Sequence, residues 1–211
     1  NKGVATAGKS MRILSAIFTF AMADEVEGER LIRENPCDVL KLKKMIVRAK
    51  PRDRYLTDDE IYRLIHFFQD EMGDPQSGSH GVTEQGKNYI MLLLVTGFRR
   101  SEGLRLRWED VDWTGETVVA RDTKNSSNHT IPMSKSLQSI LKQQKDVAGD
   151  SEWVFPATRG DGHMTEPKSQ LERIRKATGL DFRLHDLRRT FATHADALEL
   201  NRPGFAGGRL M

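Results

Sequence analysis

The chain has 211 residues, with 33 Lys and Arg against 30 Asp and Glu, for a formal charge of +3. A 30% charged share beside a 37% hydrophobic share fits a soluble protein with one core, or one core and a fraction, and excludes a fibrous or wholly disordered chain. The best apolar run, residues 90–95, falls far short of the roughly 18 residues of a membrane span, and the lone Cys37 permits no internal disulfide. No Cys/His cluster has zinc-site spacing. The sequence opens on Asn1 without a signal-peptide pattern, so it reads as beginning inside a longer chain.

Residues 10–23 read as an apolar helix, and Asn35-Pro36 breaks any further helix there because the residue before a proline disfavours the helical conformation. Between 41 and 54 lie Lys41, Lys43, Lys44, Arg48, Lys50, Arg52 and Arg54 against Asp53 alone. Such a run serves either as a solvated linker or as a strap that tracks phosphates along a nucleic acid. Thr57-Asp58-Asp59-Glu60 is a capping-box pattern that starts a helix with Ile61, Leu64, Ile65 and Phe68 on one face. A boundary is therefore expected near residue 50, with residues 1–50 N-terminal to a compact domain over 51–211. Residues 72–81 are polar and contain Gly, Ser and Pro, which predicts a loop. The apolar pattern resumes near Val82 and predicts a helix that runs to Thr96-Gly97.

Two β-prone runs, 117–121 and 129–133, flank the polar turn Asn125-Ser126-Ser127-Asn128 and predict a hairpin. Residues 135–145, 171–177 and 185–198 read as helices. The expected fold class is mainly α with a small antiparallel β-sheet. A second basic block, residues 168–189, carries seven Lys and Arg against three acids, and two such blocks favour a nucleic-acid partner more than either alone.

Three places could carry chemistry. In TGFRRSE (96–102), a Gly at a helix end followed by Arg99 can turn the chain sharply and aim a planar guanidinium at two phosphate oxygens. Glu102, three residues on, would then be within reach to orient it. In HDLRRT (185–190), His185 and Arg188 share one helical face and can converge on a single anion. Lys124 sits at the hairpin turn, from which its stem could reach across a groove. Each motif alone also fits a solvated surface.

Together these stretches resemble the tyrosine recombinase (phage integrase) family. TGFRRSE with LRWEDVD (106–112) resembles its first arginine motif, TKNSSNHTIPM (123–133) its lysine-bearing hairpin, and HDLRRTFATH (185–194) its His-x-x-Arg motif. The resemblance covers about residues 52–198. Residues 1–50 resemble the end of the family's core-binding domain plus a basic linker. The resemblance implies the DNA breaking-rejoining fold of the family's catalytic domain. The activity implied is site-specific recombination, as by a phage or prophage integrase, through a 3′-phosphotyrosine intermediate.

By that resemblance Arg99 and Arg188 clamp the nonbridging oxygens, Lys124 protonates the departing 5′ oxygen, and His185 assists proton transfer or holds the phosphate. Arg100 and Arg189 become structural or DNA-backbone contacts, alongside the basic run from Lys41 to Arg54. No metal or nucleotide cofactor is implied. The implied partner is double-stranded DNA at attachment-type sites, with the full-length protein a tetramer on DNA, acting in the cytoplasm.

The chain departs from the family pattern at its end. Tyr55, Tyr62 and Tyr89 all precede the His-x-x-Arg motif, whereas the family's nucleophilic tyrosine lies beyond it. Residues 202–211, with Pro203, Gly204, Gly207 and Gly208, fit neither a helix nor the family pattern. The expectation is a recombinase catalytic domain without its C-terminal Tyr helix, inactive alone and monomeric. The alternative is a naturally truncated DNA-binding module or prophage remnant. His194 is read as a surface or core histidine rather than the family's second His or Trp.

Overall fold

The computed structural model describes residues 2–26, 29–30, 32–43, 45, 52–72, 81–121 and 128–198. The chain divides into two compact units, Asn1–Asp53 and Arg54–Met211. Most of the loop expected over 72–81, most of the 125–128 turn, and the tail after Leu198 lie outside the described residues.

In the first unit, helix α1 spans Lys2–Ala21 and begins well before the apolar stretch that predicts it. Next comes a two-residue antiparallel ladder, β1 (Glu25–Val26) with β2 (Glu29–Arg30), then the short helix α2 (Asp38–Leu42). Asn35 does more here than break a helix. It is buried, and its amide donates to the Ser15 carbonyl at 2.9 Å and to Thr19 Oγ1 at 3.0 Å, while its Oδ1 accepts the Cys37 N–H at 3.0 Å. One side chain thus ties the segment before α2 to α1, whose Ile13, Leu14, Ile17 and Phe20 remain exposed.

The second unit opens with α3 (Asp58–His66), which continues into a π-helical turn, Phe67–Glu71. Its start is fixed by the Glu60 carboxylate, which accepts the Thr57 N–H at 3.0 Å, the reach-back of a capping box. Helix α4 (Glu84–Thr96) is polar in its first turn and apolar from Tyr89 to Val95, and it is this second part that the core buries. It packs between α6 (Lys135–Ala148) and α8 (Leu184–Ala197). A polar bridge crosses this core: Asn88 Nδ2 donates to Gln144 Oε1 at 3.1 Å, and Gln144 Nε2 donates to the Val154 carbonyl at 2.8 Å.

After α4 come the short helix α5 (Arg100–Leu104), a 3₁₀ turn over Trp108–Asp110, and the antiparallel sheet β3 (Val111–Asp112), β4 (Thr117–Ala120), β5 (His129–Pro132) in that order. The predicted hairpin is the β4–β5 pair, with Val118 opposite Ile131. Its third strand, only two residues long, has too few positions to show an alternating pattern. Helix α7 spans Lys168–Thr178, opening three residues before the apolar periodicity because Pro167 precedes it. The architecture is mainly α with one small antiparallel sheet plus the β1–β2 ladder.

Candidate active site

The site forms where the C-terminal end of α4, the start of α5 and the first turns of α8 meet. Helix α4 ends at Gly97 in the left-handed conformation, φ 64°, which a residue with a Cβ adopts only at a cost. A Cβ at that position would also stand 2.5 Å from the ring of Phe191 on α8. The tight turn sends Arg99 to the N-cap of α5, and Glu102 sits in the first turn of that helix. The Glu102 carboxylate accepts the Arg99 N–H at 2.6 Å through one oxygen and Arg99 Nη1 at 2.7 Å through the other. Tyr89, buried in α4, donates its hydroxyl to the Arg100 carbonyl at 2.9 Å and so pins the same turn from below.

Arg188 reaches this turn from α8. Its Nη1 donates to the Gly97 carbonyl and stands 4.0 Å from Glu102 Oε2. Side-chain exposure is 4% for Glu102, 19% for Arg188 and 34% for Arg99. Two cations thus share one nearly dry carboxylate, leaving a half-buried excess of one positive charge. Burial lowers the Arg188 pKa from its ordinary value and the nearby Arg99 charge lowers it further, while Glu102 works against both. A guanidinium does not release its proton under such pressure, so the strain favours capture of an anion instead.

His185 lies one turn before Arg188, exposed, in the first turn of α8 and without a ring partner among the described residues. That helix start is itself fixed by Asp186, whose buried carboxylate accepts the Arg183 N–H at 2.9 Å. Lys124 lies outside the described residues. The base of its hairpin does not: His129, which opens β5 opposite Ala120, has its ring centroid 6.5 Å from that of Phe98, next to Arg99. The three motifs therefore come together in space as far as they are described.

The remaining candidates are spread out. Arg100 points away and pairs with Glu166 at 2.8 Å, and Arg189 is half-buried on α8. Lys41 pairs with Asp38 at 2.8 Å on the surface, Lys43 is exposed and Arg52 half-buried, while Lys44, Arg48 and Lys50 lie outside the described residues. Arg54 is engaged by the fold: it donates to both Glu60 oxygens, at 2.9 and 2.5 Å, and from Nε to the Asp181 carbonyl at 3.2 Å. His194 faces the Leu56 carbonyl from Nε2 at 3.1 Å and Asp58 from Nδ1 at 3.4 Å, consistent with its reading as a surface or core histidine. Among the described residues no three His, Cys, Asp or Glu converge as a metal site would need. No helix among them is long and apolar enough to cross a membrane. A cavity of about 770 Å³ lies off the site, between α7 and the start of α8, lined by Glu166, Lys168, Arg175 and Arg183.

The sequence signature of the phage integrase family spans residues 54–196 of this chain. The chain belongs to that family. It is 34% identical over 117 residues to the prophage integrase IntF of Escherichia coli K12, an alignment covering 53% of this chain and 25% of that protein. With the tyrosine recombinase XerA of Pyrococcus horikoshii it shares 28% identity over 192 residues, 87% of this chain and 57% of the archaeal one. Its fold matches the Tn1549 transposon integrase, solved in complex with circular intermediate DNA, at a TM-score of 0.72 and 21% identity, covering 94% of this chain and 68% of that one. This chain thus spans a quarter of IntF and somewhat more than half of XerA.

Sequence spacing alone does not single out the Gly97 carbonyl, Tyr89 or Phe191 as parts of this site. A Gly after an apolar helix signals the left-handed turn, but nothing local signals which carbonyl Arg188 meets.

Proposed function

We propose that this chain carries the phosphate-clamping part of a site-specific DNA recombinase of the integrase type. The observation that supports it most is the convergence of Arg99 and Arg188, from separate elements, on the single buried carboxylate of Glu102. In the reaction, a tyrosine oxygen attacks a backbone phosphorus and forms a 3′-phosphotyrosyl bond while the bond to the 5′ oxygen breaks. Negative charge grows on the nonbridging oxygens. Arg99 and Arg188 neutralise it with forks already in place, a kind of stabilisation whose loss costs about 10²–10³ in rate per donor. Glu102 keeps the two cations together without cancelling them. Lys124 gives its proton to the departing 5′ oxygen, and His185, exposed at the rim, moves a proton at the nucleophile or holds the phosphate. Because the phosphotyrosyl bond keeps the energy of the original linkage, rejoining needs no nucleotide.

Neither Tyr89 nor Tyr55 suits the nucleophile's part. The Tyr89 hydroxyl is buried on the Arg100 carbonyl, and burial raises its pKa, the wrong direction for a phenolate. Tyr55 packs beside His194, on the side of α8 turned away from Arg188. In this reading residues 1–50 end a core-binding domain with a basic linker, residues 51–211 are a catalytic domain without its tyrosine helix, double-stranded DNA is the partner, and the full-length protein acts as a tetramer.

Duplex binding and covalent capture on a nicked substrate test the proposal, using this chain and one extended by the coding sequence after Met211. The 211-residue chain is expected to bind duplex with strong salt dependence and form no adduct, and Arg99→Ala or Arg188→Ala to weaken binding. A covalent band from the 211-residue chain would overturn the assignment of the nucleophile. Failure to bind duplex at low salt would sink the DNA reading itself.

A further inference from the structure

Leu56 is fully buried where the chain leaves the basic run and meets α8. Both of its backbone polar groups are met by side chains of that helix. Its N–H donates to Thr190 Oγ1 at 2.8 Å, and its carbonyl faces His194 Nε2 at 3.1 Å. Thr190 in turn donates its own proton to the Asp186 carbonyl at 2.8 Å, so the hydroxyl's lone pair is fixed on Leu56. On either side, Arg54 Nε donates to the Asp181 carbonyl just before α8, and the Asp58 carboxylate stands 3.4 Å from His194 Nδ1.

Thr190 and His194 are four residues apart and share one stripe of α8. Arg188 projects from the opposite side, toward the Gly97 carbonyl and Glu102, while Phe191, three residues before His194, lies between the two stripes against Gly97. The helix is therefore held between two backbones, residues 54–58 on one side and the Gly97–Glu102 turn on the other. Side chains reach about 5–6 Å from a helix axis, so a rotation of roughly 10° moves a guanidinium by about 1 Å. Against a 4.0 Å separation of Arg188 from Glu102, that displacement decides whether the two arginines address one anion.

We infer that Thr190 and His194 are positioning residues that couple the lead-in segment, residues 54–58, to the Arg188 guanidinium. Fastening that segment sets the rotation of α8, and through it the geometry of the arginine pair. The inference rests on the proposed role of Arg99 and Arg188 as a phosphate clamp. It makes the chain that arrives from the first unit a determinant of anion affinity, although it touches no anion itself.

The test uses the full 211-residue chain, read by duplex affinity at fixed salt and by the NMR signal of Arg188 Nε–H in the free protein. Thr190→Val keeps the branched shape and removes the hydroxyl. It is expected to shift the Arg188 signal and weaken duplex binding about five- to tenfold, with Thr190→Ser restoring both. Should Thr190→Val unfold, His194→Leu and the donor-preserving His194→Gln form the equivalent pair. An unchanged Arg188 signal and affinity, with faster exchange only at the Leu56 amide, would make the bond local and overturn the coupling. Arg188→Ala separates the two ideas. If it weakens duplex binding while Thr190→Val changes nothing, the clamp stands and the coupling falls. If Arg188→Ala leaves binding intact while Thr190→Val still moves the Arg188 signal, the coupling stands and the clamp falls.

Discussion

Two turns eight residues apart look alike and differ in sign. At Arg99–Glu102 a buried acid in a short helix start accepts its own turn's N–H and an arginine. At Arg107–Asp110 a buried acid does the same, accepting the Arg107 N–H at 3.3 Å and bonding Arg121 Nε. Around Glu102 stand two guanidinium groups. Around Asp110 the cations Arg107 and Arg121 are met by two further carboxylates, with Glu152 3.2 Å from Arg107 and Glu109 3.5 Å from Arg121. The first turn ends with an excess of positive charge and the second with an excess of negative charge. A buried acid beside an arginine is therefore no sign of an anion site; what makes one is the extra cation that tertiary structure delivers, here from α8.

Glu102→Ala should break the comparison most severely. It leaves two poorly hydrated guanidiniums without their carboxylate and is expected to cost about 2–3 kcal/mol of stability, measured by urea unfolding. Asp110→Ala takes one partner from Arg121, which is half-exposed and keeps Glu109 beside it, so about 1 kcal/mol is expected. Equal losses would mean the second cation adds nothing. Next comes Gly97→Ala, which forces a Cβ into a left-handed turn and against Phe191; a loss of about 2 kcal/mol in the same assay is expected. A neutral result there would contradict the close docking of α4 on α8.

The difference in sign is sharpened by ligand affinity. Arg188→Ala is expected to weaken duplex binding about tenfold at fixed salt, and Arg121→Ala less than about twofold. Parity between the two variants would argue that DNA meets a diffuse basic surface rather than this pair.

The smallest effect concerns a third acid of the same kind. Glu60 is held below the ordinary carboxylate range by its hydrogen bond from Arg54, with burial opposing and the Thr57 N–H assisting. A carboxylate whose folded pKa is lowered adds stability that is complete above its unfolded pKa and vanishes as pH falls through the folded value. The Glu60→Gln variant should therefore melt below the parent chain at neutral pH, begin to close the gap as pH falls through the unfolded carboxylate range of about 4.3, and converge with it only in stronger acid, below the lowered folded value. Melting curves that stay parallel into that stronger acid would show that Glu60 acts through packing alone.

What the sequence discloses is whatever repeats or obeys a local rule. Apolar periodicity marks α4, α6 and the apolar part of α1, the Thr57–Glu60 pattern marks the start of α3, and Gly97 marks a helix end. Arg99 with Glu102 is legible because three residues on a helix are neighbours. Arg188 with Gly97 is not, since 91 residues separate them and no periodicity records which carbonyl a distant arginine will meet. Arg54 reads as one of seven basic residues, yet its fork closes on Glu60. Thr190 looks like part of a family string, and its bond to Leu56 is visible only once the chain has folded back across 134 residues. Two-residue strands such as β1 and β3 are too short to alternate.

The Asn88–Gln144–Val154 chain has a mechanical consequence. A stretch as apolar as residues 89–95 of α4 could slide along α6 by a turn, about 5.4 Å, with little loss of apolar contact. Buried amides forbid it, because a slipped register would strand Asn88 and Gln144 without partners in a dry core. Two amides in an oily interior thus act as an axial stop, and the left-handed glycine at the end of α4 is delivered to one height, where the arginine from the far end of the sequence can find it.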